Sequence, residues 1–95
     1  MTRALSLPYY VYILLCNDGT FYTGYTKDVR EREQLHKNGR GARYTKAHPP
    51  DRMVYVEKFP QRSQAMHRER TIKKLSHQEK QELINTKSNS NISDN

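Results

Sequence analysis

The chain of 95 residues is long enough for one domain with a thin core, because a domain of this size buries only about 60–65% of the surface of its unfolded chain. Seventeen Lys and Arg against ten Asp and Glu give a net charge of +7, which favours a polyanionic partner such as a phosphate backbone, although a basic face that serves only solubility has the same composition. The chain holds one cysteine and no apolar run near the ~20 residues of a membrane span, which excludes an internal disulfide and leads us to expect a cytoplasmic protein.

The first predicted elements are two strands joined by a tight turn. Tyr9 to Cys16 is an unbroken run of apolar, aromatic and β-branched residues, which is typical of a central strand buried on both faces. Asn17-Asp18-Gly19 supplies the positive φ that a hairpin turn needs. Phe21 to Thr26 is therefore predicted to return as the second strand.

A helix and a long loop are predicted next. Thr26 is the expected N-cap of a helix from Lys27 to Lys37, and Asn38-Gly39 is expected to end it. Gly39 to Arg52 has the composition of a loop, and its length indicates a functional loop rather than a simple connector.

The second half of the chain predicts one more strand and two helices. Met53 to Phe59 has the pattern of a third strand, and a second helix is expected from Ser63 to Leu75. Ser76-His77-Gln78-Glu79 has the form of a capping box, which predicts a short third helix that ends at Leu83 or Ile84. The order is β-β-α-β-α-α, an α/β fold with one small sheet flanked by helices. We expect an N-terminal extension (1–8), one domain (9–84) and a disordered tail (85–95).

A lone carboxylate lies within the apolar stripe of the second predicted helix. Glu69 follows Met66 by three residues and precedes Ile72 by three. Burial of a carboxylate is costly unless it is paired or binds a cation. A magnesium or manganese ion is one candidate, because such ions are often held by one or two carboxylates, water and phosphate oxygens. The other candidate is a salt bridge to Arg32, Arg68 or Lys73.

The first predicted helix carries two further polar side chains on one face. Arg32 and His36 are four residues apart, and Val29 shares their face, so both are predicted to point toward the sheet. An arginine in that place can neutralise charge that develops on a phosphorane. The structural alternatives are an arginine that extends past the sheet edge to solvent and a histidine at the surface.

Two tyrosines lie on the two hairpin strands, where the turn can bring them together. Tyr12 and Tyr22 are packing residues in the simplest interpretation. A phenol is a poor base at neutral pH, but adjacent cations favour the phenolate. We therefore expect Arg32 or a divalent ion to lower the pKa of such a phenol if the site is catalytic.

The order of these residues along the chain resembles the GIY-YIG nuclease family. Tyr10-Val11-Tyr12 stands at the first motif and Tyr22-Thr23-Gly24 at the second, although the Gly of the first motif and the Ile of both are replaced. The remaining matches are Arg32, His36 and Glu69. The resemblance extends from about Tyr9 to Ile84 and is strongest to small, stand-alone bacterial members that consist of the nuclease domain alone.

This resemblance implies a three-stranded antiparallel sheet flanked by helices and the hydrolysis of DNA phosphodiesters with one Mg²⁺ or Mn²⁺ ion. The implied metal ligand is Glu69, Gly24 allows close approach of backbone, and the implied catalytic residues are Tyr12, Tyr22, Arg32 and His36. In the predicted loop we expect phosphate contacts from three cations and base stacking from one tyrosine. These residues are Arg40, Arg43, Lys46 and Tyr44.

The sequence thus predicts a structure-selective DNA endonuclease that acts on branched or damaged DNA in repair or recombination. Two alternatives stay open. One is a nucleic-acid-binding module without catalysis, and the other is a nuclease subunit that a protein partner activates.

Overall fold

The structure, a computed structural model, describes the backbone of residues 8–93 and the side chains as far as Lys87. The predicted N-terminal extension falls largely outside the described residues. The elements in chain order are β1 (Tyr9–Cys16), β2 (Phe21–Thr26), α1 (Val29–Lys37), α2 (Arg43–Ala47), β3 (Pro50–Phe59), α3 (Arg62–Lys73) and α4 (His77–Ser93). The strands form one antiparallel sheet in the order β2-β1-β3. This confirms the predicted fold, to which the structure adds the short helix α2.

The middle strand, β1, is covered on both faces, as its unbroken apolar run predicts. Val11 and Ile13 point to one face and are fully buried in a core that includes Ala65 and Ile72 of α3. Tyr12 and Leu14 alternate with them on the opposite face and are also buried. The sheet therefore separates an apolar core from a second buried layer that contains polar side chains.

The hairpin turn between β1 and β2 is held from within and from two later segments. Gly19 adopts the predicted positive φ of 86°. The carboxylate of Asp18 accepts hydrogen bonds from the backbone nitrogen and the hydroxyl of Thr20 at 3.1 and 2.7 Å. His48 Nδ1 donates to the same carboxylate at 2.6 Å, and His77 Nε2 donates to the Gly19 carbonyl at 2.9 Å. The turn is thus tied both to the segment after α2 and to the start of α4.

Helix α1 begins two residues later than predicted. Its N-cap is Asp28, whose carboxylate accepts a hydrogen bond from the Glu31 backbone nitrogen at 3.0 Å. The predicted N-cap, Thr26, is the last residue of β2, and its hydroxyl accepts a hydrogen bond from the Asp28 nitrogen at 3.1 Å. The prediction was wrong because two capping-type residues compete here and the pairing of β2 holds Thr26 in the sheet.

The predicted loop 39–52 is shorter than expected and is partly helical. Helix α2 occupies Arg43–Ala47, and β3 begins at Pro50 rather than at Met53. Pairing with the end of β1 extends β3, because Cys16 lies opposite Pro50 and the Asn17 nitrogen donates to the Pro49 carbonyl at 2.8 Å. The sequence did not predict that β3 begins here, because prolines and charged residues are untypical of a strand.

Helix α4 begins as predicted and continues further than predicted. Ser76 and Glu79 form the expected capping box, with reciprocal hydrogen bonds of 2.8 and 3.1 Å. The helical backbone runs to Ser93 instead of ending near Ile84, where a disordered tail was expected to follow. No Gly or Pro interrupts the chain after Ile84, so nothing local terminates the helix. Within residues 8–93, no helix is long and apolar enough to cross a membrane.

Candidate active site

The centre of the candidate site is Tyr12, whose side chain is 2% exposed. In the sheet register Tyr12 lies opposite Gly24, and Tyr22 lies on the same face two residues before that glycine. The rings of Tyr12 and Tyr22 are 6.4 Å apart between centroids. The hairpin therefore brings the two tyrosines together, as predicted.

The space for the phenol of Tyr12 exists because its cross-strand neighbour has no side chain. A Cβ atom at Gly24 would lie 2.5 Å from Tyr12 Oη and 2.7 Å from Cζ, closer than such atoms approach in proteins. The sequence predicted close approach of backbone at this glycine, and the structure shows that a tyrosine ring makes the approach.

A buried chain of hydrogen bonds leads from Tyr12 into helices α1 and α2. Tyr12 Oη is 2.9 Å from His36 Nε2, and His36 Nδ1 is 2.8 Å from Thr45 Oγ1. The Thr45 hydroxyl donates its proton to the Ala42 carbonyl at 3.1 Å, so it accepts from His36 Nδ1–H. The Nδ1–H tautomer leaves Nε2 free to accept the proton of Tyr12. His36 is 1% exposed, so the alternative of a surface histidine was wrong.

Two residues that position His36 were missed by sequence reasoning. Gly41 packs so closely on the imidazole that an added Cβ would lie 2.5 Å from His36 Cγ and would also collide with Nδ1. Thr45 is 1% exposed although its neighbours Arg43 and Lys46 are exposed. The signals were a glycine and an isolated threonine within a basic segment, which is too little to identify a packing role.

Burial dominates the electrostatics of the hydrogen-bonded pair. Desolvation, followed by the nearby Tyr22, raises the pKa of Tyr12 well above 10, and the opposing effect of Arg32 is smaller. Arg32 alone therefore does not bring the pKa of this phenol below its ordinary value. Burial, followed by the Arg32 charge, lowers the pKa of His36 below its ordinary value. At neutral pH the pair thus consists of a phenol and a neutral imidazole.

Arg32 lies one turn before His36 on α1, and its side chain is half-buried. Its charge acts on the pKa of both Tyr12 and His36, as expected for a side chain on the same face of α1 as His36. Among the residues that the structure describes, no carboxylate forms an ion pair with Arg32. The guanidinium therefore has donors left for an anionic ligand.

Glu69 lies on α3 with its side chain 17% exposed, and its charge also acts on the pKa of Tyr12. Its carboxylate is 3.5 Å from the half-exposed ammonium of Lys73, one of the partners that the salt-bridge alternative named. A second of those partners, Arg68, pairs instead with Glu57 at 3.0 Å. The Lys73 side chain is half-exposed and its ammonium lies at the long distance of 3.5 Å, so this pair leaves Glu69 available to a divalent cation.

The metal-ligating side chains at the site suit only one kind of metal ion. In the described part of the chain, no three His, Cys, Asp or Glu side chains cluster closely enough to hold an ion among themselves. The single carboxylate of Glu69, whose charge acts on Tyr12 as that of Arg32 does, fits a magnesium-type ion that water and substrate phosphate oxygens hold in its remaining positions. It does not fit zinc, which takes three or four protein ligands.

The predicted nucleic-acid contacts follow α1 and include α2. Arg40, Arg43 and Lys46 are exposed, in agreement with a phosphate-contacting role. Tyr44 is placed differently, because its ring stacks on His48 at 4.2 Å between centroids and lies 5.9 Å from the ring of Tyr22. The predicted stacking of Tyr44 on a nucleic-acid base would first require this internal stack to open.

Comparison with known proteins gives a family match and close relatives. A family model described as the GIY-YIG catalytic domain matches residues 8–82. The UPF0213 protein of Staphylococcus saprophyticus is 49% identical over 76 residues, which cover 80% of this chain and 93% of that protein. The UPF0213 protein of Halalkalibacterium halodurans is 46% identical over 81 residues, which cover 85% and 86% of the two chains. The matched region is thus nearly the whole of these small proteins.

Two solution NMR structures share the fold. The UPF0213 protein from Bacillus halodurans is 45% identical, with a TM-score of 0.56 over 84% of this chain and 85% of that one. A protein from E. faecalis is 41% identical, with a TM-score of 0.57 over 83% and 84% of the two chains. Both agree with the predicted membership and with the three-stranded sheet described above.

The contact between Gly24 and Tyr12 predicts a large cost for one added methyl group. Gly24→Ala should lower the free energy of unfolding by about 1–3 kcal/mol, because the ring of Tyr12 must move within a packed layer. Denaturant titration measures this loss. In a Tyr12→Phe background the loss should be smaller, because the hydroxyl is the nearest atom. Equal losses in the two backgrounds would contradict the contact.

The lowered pKa of His36 predicts a dependence of stability on pH. The unfolded chain binds a proton at this residue near pH 6.5 and the folded chain binds it only at lower pH, so the free energy of unfolding should fall as the pH drops below 6.5. The slope from this residue is at most about 1.4 kcal/mol per pH unit. Denaturant titrations between pH 7.5 and 5 should show a shallower slope for His36→Gln. The wild type, titrated alongside under the same conditions, gives the reference slope.

Proposed function

This chain belongs to the GIY-YIG family of nuclease domains, and we propose that it is a divalent-metal-dependent endonuclease that hydrolyses DNA phosphodiester bonds. We further propose branched or damaged DNA in repair or recombination as its substrate. The observation that carries the proposal is the buried hydrogen-bonded chain from Tyr12 through His36 to Thr45, with an unpaired arginine beside it. This hydrogen-bonded chain also organises the packing of α1 and α2, and what favours catalysis is that the charges of Arg32 and Glu69 both act at Tyr12, where the hydrogen-bonded chain begins.

The hydrogen-bonded chain supplies a path for the proton of an attacking water. Because the pKa of Tyr12 is raised, the phenol acts as a relay that receives the proton of water while it passes its own proton to His36 Nε2. Thr45 holds the opposite ring nitrogen protonated, so His36 can accept only at Nε2. The base in this scheme is His36, and Tyr12 transmits its effect to the water.

Arg32 supplies positive charge at the phosphate. During hydrolysis the water oxygen bonds to phosphorus as the bond from phosphorus to the leaving oxygen breaks, and negative charge spreads over the phosphoryl oxygens. A guanidinium without a carboxylate partner is suited to this charge, because its donors need not leave another anion. Burial, followed by the charge of Arg32, lowers the pKa of His36, so its Nε2 carries a free lone pair at neutral pH.

Glu69 is the residue that would hold the metal ion. When bound, a magnesium or manganese ion adds Lewis-acid stabilisation of the phosphate and lowers the pKa of water. To hold such an ion, the Glu69 carboxylate would give up its contact with Lys73. Tyr22 completes the wall of the site, because its ring lies 5.0 Å from that of His36 and 6.4 Å from that of Tyr12.

The exposed cations of the α2 region would hold the DNA backbone. Arg40, Arg43 and Lys46 follow His36 along the chain, and α2 is joined to His36 through Thr45. Phosphate contacts of this kind fix position without reading sequence. They fit an enzyme that selects the structure of its substrate rather than its base sequence.

Removal of single hydroxyl groups tests the proton path. Tyr12→Phe should lower single-turnover cleavage by tenfold or more, because the relay to His36 is lost, and Tyr22→Phe should have a smaller effect. Rates are measured with Mg²⁺ on nicked, flapped and branched DNA. The matched control is Tyr55→Phe, which removes a hydroxyl bonded to Glu57 on the opposite face of the sheet and should leave the rate unchanged. Wild-type rates for Tyr12→Phe would assign this ring to packing alone.

Glu69→Gln tests both the metal site and the enzymatic function. It should abolish cleavage and leave DNA affinity and thermal stability nearly unchanged, because the pair with Lys73 contributes little. The control is Lys73→Gln, which breaks the same pair and should still cleave. If both variants cleave and both lose stability, Glu69 is a salt-bridge residue. If the wild type cleaves no DNA with Mg²⁺ or Mn²⁺ yet binds it, the domain is a binding module or needs a protein partner.

A further inference from the structure

A second cleft opens beside Arg32, away from the Tyr12–His36 pair. It is open to solvent, has a volume of about 380 Å³ and lies where β1 begins and β2 ends. Tyr9 and Tyr25 line it from these strands, and Arg62 lines it from the start of α3. Its volume falls within the range of about 300–1,000 Å³ that is usual for sites that take small ligands.

Each tyrosine of this cleft has a cation next to its ring. Lys27 Nζ lies 5.5 Å from the ring centre of Tyr9, and Arg62 Cζ lies 5.9 Å from that of Tyr25. The Arg62 guanidinium also donates a hydrogen bond to the Tyr25 hydroxyl at 3.2 Å. Both cations lie over the ring faces, so a base would stack on Tyr9 or Tyr25 once the long basic side chain moves aside to a phosphate. Aromatic rings interleaved with cations bind single-stranded nucleic acid through such stacking and phosphate contacts.

The lining of the cleft carries a small net positive charge, which favours an anionic ligand. Its cations are Arg32, Lys27 and Arg62, and its acids are Asp28 and Glu31. The Asp28 carboxylate is already engaged as the N-cap of α1, where it accepts a hydrogen bond from the Glu31 nitrogen. A ligand with one or two negative charges and a flat uncharged part matches this lining better than a polyphosphate does.

We propose that this cleft binds one unpaired nucleotide next to the phosphate that is cleaved, an inference that rests on the proposed function. Arg32 belongs to both the cleft and the candidate active site, so a nucleotide in the cleft is adjacent to the reacting phosphate. A paired base inside a duplex is stacked on its neighbours and offers no free face to Tyr9 or Tyr25. The substrate class is therefore DNA with an overhang, a flap or an extruded base at the cleavage point.

Binding without cleavage tests the proposal. The protein carries Glu69→Gln, and fluorescence anisotropy in EDTA compares a blunt duplex, the same duplex with a five-nucleotide overhang, and the same duplex with a one-nucleotide bulge. Tyr25→Leu should weaken binding of the overhang by about tenfold and of the blunt duplex by less than twofold, because the loss of one stacked base costs about 1–3 kcal/mol. The control is Tyr25→Phe, which keeps the ring and should bind the overhang within about threefold of the parent protein. If Tyr25→Leu weakens binding of the bulged duplex as much as that of the overhang, the cleft accepts an extruded base as well as a strand end. If it weakens binding of the overhang alone, the cleft accepts only a strand end.

Tyr25 packs on the core, so Tyr25→Leu also removes packing that stabilises the fold. A substitution at the surface of the cleft separates loss of DNA binding from loss of stability. Arg62→Ala affects an exposed side chain of the cleft and should weaken binding of the overhang more than that of the blunt duplex. Arg30→Ala removes an exposed arginine of α1 outside the cleft and should weaken both equally or not at all. Equal effects of Arg62→Ala and Tyr25→Leu on both DNAs would overturn the nucleotide site even if the enzyme cleaves DNA. A selective effect would support the site even if no cleavage is found.

Discussion

The hydroxyl of Tyr12 is buried in the middle of the sheet, and a buried hydroxyl without a partner costs about 1–3 kcal/mol. His36 supplies that partner, so the hydrogen bond fixes where α1 lies against β1. His36 in turn needs a partner for its other nitrogen, and Thr45 fixes α2 in the same way. The second buried layer of the fold is therefore organised around one chain of hydrogen bonds. Gly24 and Gly41 leave the space that the rings of Tyr12 and His36 occupy.

Local rules predicted most of the fold. The apolar run of β1, the Asn-Asp-Gly turn and the capping box of α4 each depend on residues that are neighbours in sequence, and all three are present. The start of α1, the helix α2 and the true start of β3 depend on contacts with distant segments. At those places propensity is a weak guide, because tertiary contacts override it.

The candidate site shows the same division between local and distant information. Sequence spacing was enough to bring together Tyr12, Tyr22 and His36, because each lies at a defined register of a strand or helix. The direction of the Tyr12 pKa was not predictable, because a sequence displays nearby charges but not the degree of desolvation that opposes them. Gly41 and Thr45 were missed because their roles exist only once α2 packs on α1.

The internal stack of Tyr44 on His48, which ends in the hydrogen bond to Asp18, has a consequence for the entropy of the proposed DNA binding. A long basic loop that moved freely would lose about 1–2 kcal/mol of backbone conformational entropy per residue on becoming ordered against a phosphate backbone. Here the inner side of the α2 segment is already fixed to the hairpin turn, while its cations stay exposed on the outer side. Most of the backbone conformational entropy of this segment is therefore lost during folding. Contact with DNA would then restrict only the rotamers of the long basic side chains.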